Sequence, residues 1–230
     1  LGSISNMPEV IVTSRTFIAS ASSIINIGAK PVFVDIDRDS QNISVENIKS
    51  AITENTCAII CVHLAGWPCE MDKIMDVASA NNLYVIEDCA QAHGAIYKGQ
   101  MVGSFGDIAA WSFCQDKIMT TGGEGGMITT NDEKLWHHAW SYKDHGKSFH
   151  KVFNVNHPEG FRWLHDSFGI NARMTEMQAI IGLIQLRKMP KWKALRSKNA
   201  QSILELCKKF PKSLRVPMPP NSIEHAWYKC

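Results

Sequence analysis

Leu83-Tyr84-Val85-Ile86 runs directly into Glu87-Asp88-Cys89-Ala90-Gln91-Ala92-His93-Gly94. An apolar run that ends on two carboxylates reads as a buried strand delivering charge at its carboxyl end. Upstream, Met71, Ile74, Met75 and Ala78 share one helical stripe, and Cys57 to Val62 (CAIICV) is a second apolar run. Before that, Ser44 is placed to cap a helix carrying Val45, Ile48, Ala51 and Ile52, which follows the strand-like Pro31 to Ile36 (PVFVDI). The order is βαβαβ, which predicts parallel strands joined by right-handed crossovers. Ligands of such sheets gather at the carboxyl ends of the strands. Asp88 falls at one of them.

Downstream, Ile108 to Phe113 forms another apolar run, and Lys117 follows it by four residues. Thr121-Gly122-Gly123-Glu124-Gly125-Gly126 comes next, then a short strand over Met127 to Thr130 and a helix from about Glu133 to Ser141. His145 to His165 is polar and aromatic without periodicity, so a long loop is expected. Thr175 and Gln178 have capping-box spacing at the start of a helix striped with Met177, Ile180, Ile181, Ile184 and Leu186. Pro190 is expected to end that helix. The basic stretch from Lys191 to Lys209 reads as a solvated helix.

The chemistry is carried by few positions. A lone lysine in a loop is ordinarily a surface charge. Lys117, however, follows a buried strand and precedes a turn of four glycines, where backbone can approach a ligand closely. A carboxylate ending one strand and a lysine after the next suit pyridoxal 5'-phosphate. The amine condenses with the cofactor aldehyde, and the carboxylate keeps the pyridine nitrogen protonated. Burial or positive surroundings are expected to lower the Lys117 pKa. Asp88 read alone also suits an N-cap or a structural ion pair. Gln91 is spaced to face the cofactor ring, and Ser112 to offer its hydroxyl to the phosphate. The glycine cluster matches no Walker A or dinucleotide fingerprint and suits a plain tight turn equally well. His63, His93 and His145 are each ambiguous.

Composition narrows the classes. A net charge of +2 gives no reason to invoke nucleic acid or an anionic membrane, and no apolar stretch is long enough to span a bilayer. Seven scattered cysteines, with no zinc-finger spacing, read as structural thiols of a reducing cytoplasm, and no metal site is expected. The ends, Leu1 and Cys230, read as those of a piece of a longer protein.

Taken together, the chain resembles the DegT/DnrJ/StrS family of sugar aminotransferases that use pyridoxal 5'-phosphate. The blocks that carry the resemblance are Thr16-Phe17-Ile18-Ala19, Gly28 to Asp35, His63-Leu64-Ala65-Gly66, Glu87 to Gly94, Ser112 to Gly126 and Gly169 to Met174. The resemblance implies an α/β, aspartate-aminotransferase-like fold (fold type I). Residues 1–190 would form a large domain on a mostly parallel seven-stranded sheet, and 191–230 the start of a smaller α/β domain. It implies Lys117 as the Schiff-base lysine, Asp88 as the partner of the pyridine nitrogen and Gln91 as a ring contact. Ser112 becomes a phosphate ligand, Phe17 the stacking aromatic, and Asn171 a phosphate donor across a homodimer interface.

The implied reaction moves an amino group from an amino acid, most often glutamate, to a keto group of a nucleotide-linked sugar, for polysaccharide or related amino-sugar synthesis. The family's Ser-Gly-Thr phosphate loop and most of the small domain are expected to lie outside these residues. A sugar dehydratase of the same family replaces the lysine with histidine, which Lys117 argues against. A non-catalytic regulatory paralogue would be expected to have lost Lys117, Asp88 or Ser112.

Overall fold

The computed structural model describes residues 7–230. Strands β1 (Glu9–Thr13), β2 (Lys30–Val34), β3 (Thr56–Val62), β4 (Tyr84–Asp88), β7 (Ile108–Ser112) and β8 (Gly126–Thr129) form one six-stranded sheet in the order β2-β1-β3-β4-β7-β8. Its first five strands pair in parallel, and β8 runs antiparallel to β7. The resemblance implied seven strands; the described residues supply six.

Alternation along the strands explains the layers. Val10, Val12, Ala58, Ile60 and Val62 pack with Ile24 of α1 (Ala19–Asn26) on one face. Ile11, Ile59 and Val85 pack on the other face with Ile48 of α2 (Val45–Ala51) and Met71, Ile74 and Val77 of α3 (Met71–Ala80). Helices cover both faces, so the middles of the central strands are apolar on both sides, with polar residues such as Glu9, Thr13, Thr56 and Asp88 at their ends. Ser44 caps α2 by accepting from Asn47 N, as its sequence position suggested.

A second, small antiparallel sheet joins β5 (Ile96–Tyr97), β6 (Gln100–Met101) and β9 (Ile223–Glu224). Its hairpin turns through Lys98 (φ 48°) and Gly99 (φ 83°), the left-handed pair of a tight two-residue turn. The aromatic stretch expected as a long loop contains α5 (Phe149–Phe153), which follows α4 (Glu133–Lys143) and is capped by Ser148. Phe149 meets Trp136 and Trp140 of α4 edge-on at 5.1 Å, and these ring contacts order the segment.

The last helix corrects a sequence expectation. Thr175 and Gln178 form the reciprocal capping box, but Pro190 does not end the helix: α6 runs unbroken from Glu176 to Cys207. Proline removes one donor from the ladder, at the Leu186 carbonyl. Packing on either side compensates. Met189 is buried and Trp192 half-buried in one cluster with Ala92, Val102 and Phe113, so both sides of Pro190 are pinned to the same surface. All five residues of the apolar stripe on its first turns, Met177, Ile180, Ile181, Ile184 and Leu186, are exposed.

Candidate active site

Asp88 ends β4, and Ser112 ends the neighbouring β7, two residues past the Ala110 that pairs with Asp88. Both therefore lie at the carboxyl edge of the parallel sheet. The Asp88 carboxylate accepts from Ser20 Oγ of α1 (2.7 Å) and from Ala90 N (3.1 Å). Ser20 is itself 2.8 Å from Thr16 Oγ1. These contacts bring the segment around Phe17 against the end of β4. Phe17 is 71% exposed, so its ring is free to face a ligand.

Beyond Ser112 the chain loops out and back. Phe113 N donates to Gly125 O (2.8 Å), and Thr121 N to Phe113 O (3.2 Å). A Cβ on Gly125 would stand 2.1 Å from Thr121 Oγ1, so the glycine permits this closure. Lys117 sits in the loop, with Lys117 N bonded to Cys114 O (3.0 Å) and its side chain only 16% exposed. Nζ donates to Asp116 Oδ1 (3.1 Å) and lies 5.3 Å over the Tyr228 ring. The expected fall in its pKa is not found. Burial does pull it down, but the bond to Asp116 and the neighbouring Tyr228 outweigh that, and the net shift is upward. Asp116 is held down at about 2, first by the Tyr228 hydroxyl and then by Lys117.

The other expected residues have defined partners. Gln91 Oε1 accepts from Ala65 N (2.7 Å), tying it to the one-turn 3-10 helix Leu64–Gly66, where Ala65 takes a positive φ of 57°. Ser112 Oγ accepts from Cys114 N (3.3 Å) and keeps its proton to donate. Asn171 accepts from Arg173 Nε (3.0 Å) and bridges Asp144; neither partner belongs to the Asp88–Ser112–Lys117 group.

On the opposite face, Glu87 is fully buried and satisfied by four donors. Phe105 N and Gly106 N bond Oε1, and Gly103 N and His63 Nε2 bond Oε2, at 2.7–3.0 Å. Burial pushes its pKa up, but His63 and the backbone N–H groups win and lower it, so the carboxylate is ionised. His63 Nδ1 accepts from Cys69 N (3.0 Å), which fixes the proton on Nε2. His63, Glu87 and Cys89 place their ligand atoms within 4.8 Å of one another. In this tautomer Nε2 has no lone pair for a metal, and the group reads as a structural anchor.

His93 also lies on that face, beside Trp111 and Phe113 at ring distances of 5.4 and 5.8 Å. It borders an apolar cavity of about 430 Å³, and neither ring nitrogen has a hydrogen-bond partner among the described residues. Desolvation pushes its pKa down to about 4; the Lys117 charge adds to the shift and the Ser112 backbone opposes it. The unfolded imidazole takes up its proton near pH 6.5, so stability is lost as pH falls from there towards 4. Replacing His93 by Leu should flatten this part of the acid limb, measured as urea midpoint against pH.

The arrangement fits an electron-accepting heteroaromatic phosphate. Asp88 offers a carboxylate backed by two donors, Ser112 a free hydroxyl proton, Phe17 an uncovered ring, and Lys117 a screened amine. Sequence reading missed Ser20, Asp116 and Tyr228 as partners of these groups. Ser20 and Tyr228 meet their partners only through the fold, whereas Asp116 directly precedes Lys117 in the sequence.

The sequence signature of the DegT/DnrJ/EryC1/StrS aminotransferase family matches residues 2–230. Over 185 residues the chain is 46% identical to a GDP-perosamine synthase of Escherichia coli O157:H7, covering 80% of this chain and 48% of that protein. It is 39% identical to a dTDP-3-amino-3,6-dideoxy-alpha-D-galactopyranose transaminase of Aneurinibacillus thermoaerophilus, covering 96% and 57%. Among solved structures, an aminotransferase from Psychrobacter cryohalolentis superposes with a TM-score of 0.94 at 60% identity, covering 96% of this chain and 58% of that one. The chain thus spans about half the length of these relatives.

Proposed function

The chain belongs to the DegT/DnrJ/EryC1/StrS aminotransferase family, and on that premise we propose that its parent protein transfers an amino group from an amino acid to a keto group of a nucleotide-linked sugar. The cofactor we infer is pyridoxal 5'-phosphate. The observation that carries the reading is the shared sheet edge: Asp88 and Ser112 end adjacent parallel strands, and Lys117 stands in the loop that follows.

When bound, the cofactor supplies an aldehyde for amino groups and a ring that accepts electrons. The chain's own residues do the rest. Asp88, held by Ser20 and Ala90, keeps a proton on the ring nitrogen. Lys117 anchors the cofactor through Nζ and carries protons on and off the substrate carbon. Ser112 donates its hydroxyl to the phosphate, Phe17 covers the ring, and Gln91, fixed by Ala65, orients it. Asn171, with its partners outside this group, is assigned to the site of a second copy, which makes the working unit a homodimer.

The same reading divides the chain near residue 190, with α6 leading from the large domain into the small one. It also places the protein in the cytoplasm. Among the described residues no helix is long and apolar enough to cross a membrane.

The test is reduction of the full-length protein with borohydride in the presence of pyridoxal 5'-phosphate, followed by peptide mapping. A pyridoxyl group on Lys117 is expected; saturation without any adduct overturns the assignment. A second measurement addresses Asp88. Asp88→Asn keeps shape and removes charge, so kcat should fall by about a hundredfold or more while the denaturation midpoint changes little. Unchanged turnover would remove Asp88 from the ring nitrogen.

A further inference from the structure

The segment His225 to Lys229 folds back over the site. Ala226 N donates to Gly66 O (2.9 Å), and Tyr228 N and Lys229 N donate to Ala65 O (2.9 and 3.3 Å). The same short turn gives Ala65 N to Gln91. Arg196 of α6 holds Trp227 O at 3.1 Å. Tyr228 is thus fixed by backbone bonds to a turn that already contacts the proposed cofactor residues. Its hydroxyl donates to Asp116 Oδ2 at 2.5 Å, while the other oxygen of the same carboxylate receives Lys117 Nζ.

The division of that carboxylate is informative. Asp116 is 58% exposed, and a carboxylate so open to water would sample several rotamers. One oxygen tied to a half-buried phenol turns the other toward the lysine. The ring adds its face to the ammonium at 5.3 Å. An ammonium paired in this way is not a nucleophile, because attack needs the free lone pair on nitrogen.

We propose that Tyr228 is a positioning residue for Lys117: through Asp116 it holds the lysine as a paired ammonium, and nucleophilic attack by Nζ requires that pair to open. The role rests on reading Lys117 as the cofactor lysine. Tyr228 lies 111 residues from Lys117, so the C-terminal segment sets the reactivity of a loop following β7. The titratable groups facing the pair are Tyr228, His93 across the strand, and Cys114, whose Sγ meets Glu124 Oε1 at 3.4 Å.

The experiment is trace acetylation of the full-length protein, freed of cofactor, over a range of pH. Lys117 is quantified by mass spectrometry against exposed Lys134 as an internal reference. Asp116→Asn should label Lys117 about tenfold faster at pH 8, with the labelling midpoint moved about one unit down in pH, since one unit is tenfold in free amine. Tyr228→Phe keeps the ring and the backbone bonds and should move rate and midpoint the same way. The double variant should match Asp116→Asn alone, because the phenol acts through the carboxylate. A Tyr228→Phe protein with wild-type labelling overturns the proposal, and so do additive effects in the double variant. Borohydride mapping of the wild-type protein judges the cofactor assignment separately, so the two can fail independently.

Discussion

Lys117→Ala is expected to lower the rate of amino transfer by at least about a thousandfold, with the fold intact. The lysine serves as anchor and as proton carrier, and positioned proton transfer alone contributes 10²–10⁴-fold. Its side chain makes one hydrogen bond, to a carboxylate that is mostly in water, so truncation leaves no buried partner stranded. A single-turnover assay of the half-reaction with an amino-acid donor measures the loss, and circular dichroism checks the fold. Near-normal transfer by a folded variant would refute the assignment of Lys117.

The largest expected effect on stability comes from the neighbour of Asp88. Glu87→Ala strands three backbone N–H groups and the Nε2 proton of a histidine that is 0% exposed. Breaking a buried pair by deleting one partner costs about 3–5 kcal/mol. Urea denaturation should show the midpoint fall accordingly, with the slope unchanged. The pH dependence follows from the sign of the shift. The folded pKa of Glu87 is lowered, so its contribution is present above the unfolded carboxyl value and disappears as pH falls through the folded one. The variant should lack that part of the acid limb. A loss below about 1 kcal/mol would mean that water replaces the carboxylate.

Adjacent residues therefore carry opposite duties. Asp88 points to the ligand edge and Glu87 into the packed face, as side-chain alternation along a strand demands. In the sequence Asp88 is the carboxylate assigned to the ring nitrogen, while nothing there marks Glu87 as the anchor of the packed face. The sequence did show β2, β3, β4 and β7 as apolar runs, but not β1, a central strand whose short run is flanked by Glu9 and Thr13. It also showed the capping residues Ser44 and Thr175, whose bonds are local.

What stayed hidden depends on residues distant in the chain. Ser20 reaches Asp88 across 68 positions, and Tyr228 reaches Asp116 across 112. The upward shift of the Lys117 pKa comes first from its sequence neighbour Asp116 and then from Tyr228, which only the fold brings near. Pro190 was misread for a related reason: a local rule against proline in helices lost to packing by Met189 and Trp192. The Ile96–Met101 hairpin had a usable signal in Lys98-Gly99, although so short a pair of strands offers almost no alternation.

The unbroken α6 has a mechanical consequence. At 1.5 Å per residue its 32 residues make a strut of about 48 Å. One rung of its ladder is missing at Pro190, so bending stiffness is lowest there. Met189 and Trp192 brace that point from either side, so load applied to the far end passes through it into the packed surface. Trp192, Lys193 and Arg196 fasten the shaft beyond Pro190 to the C-terminal segment and the packed core, so the two halves of the strut move as one piece.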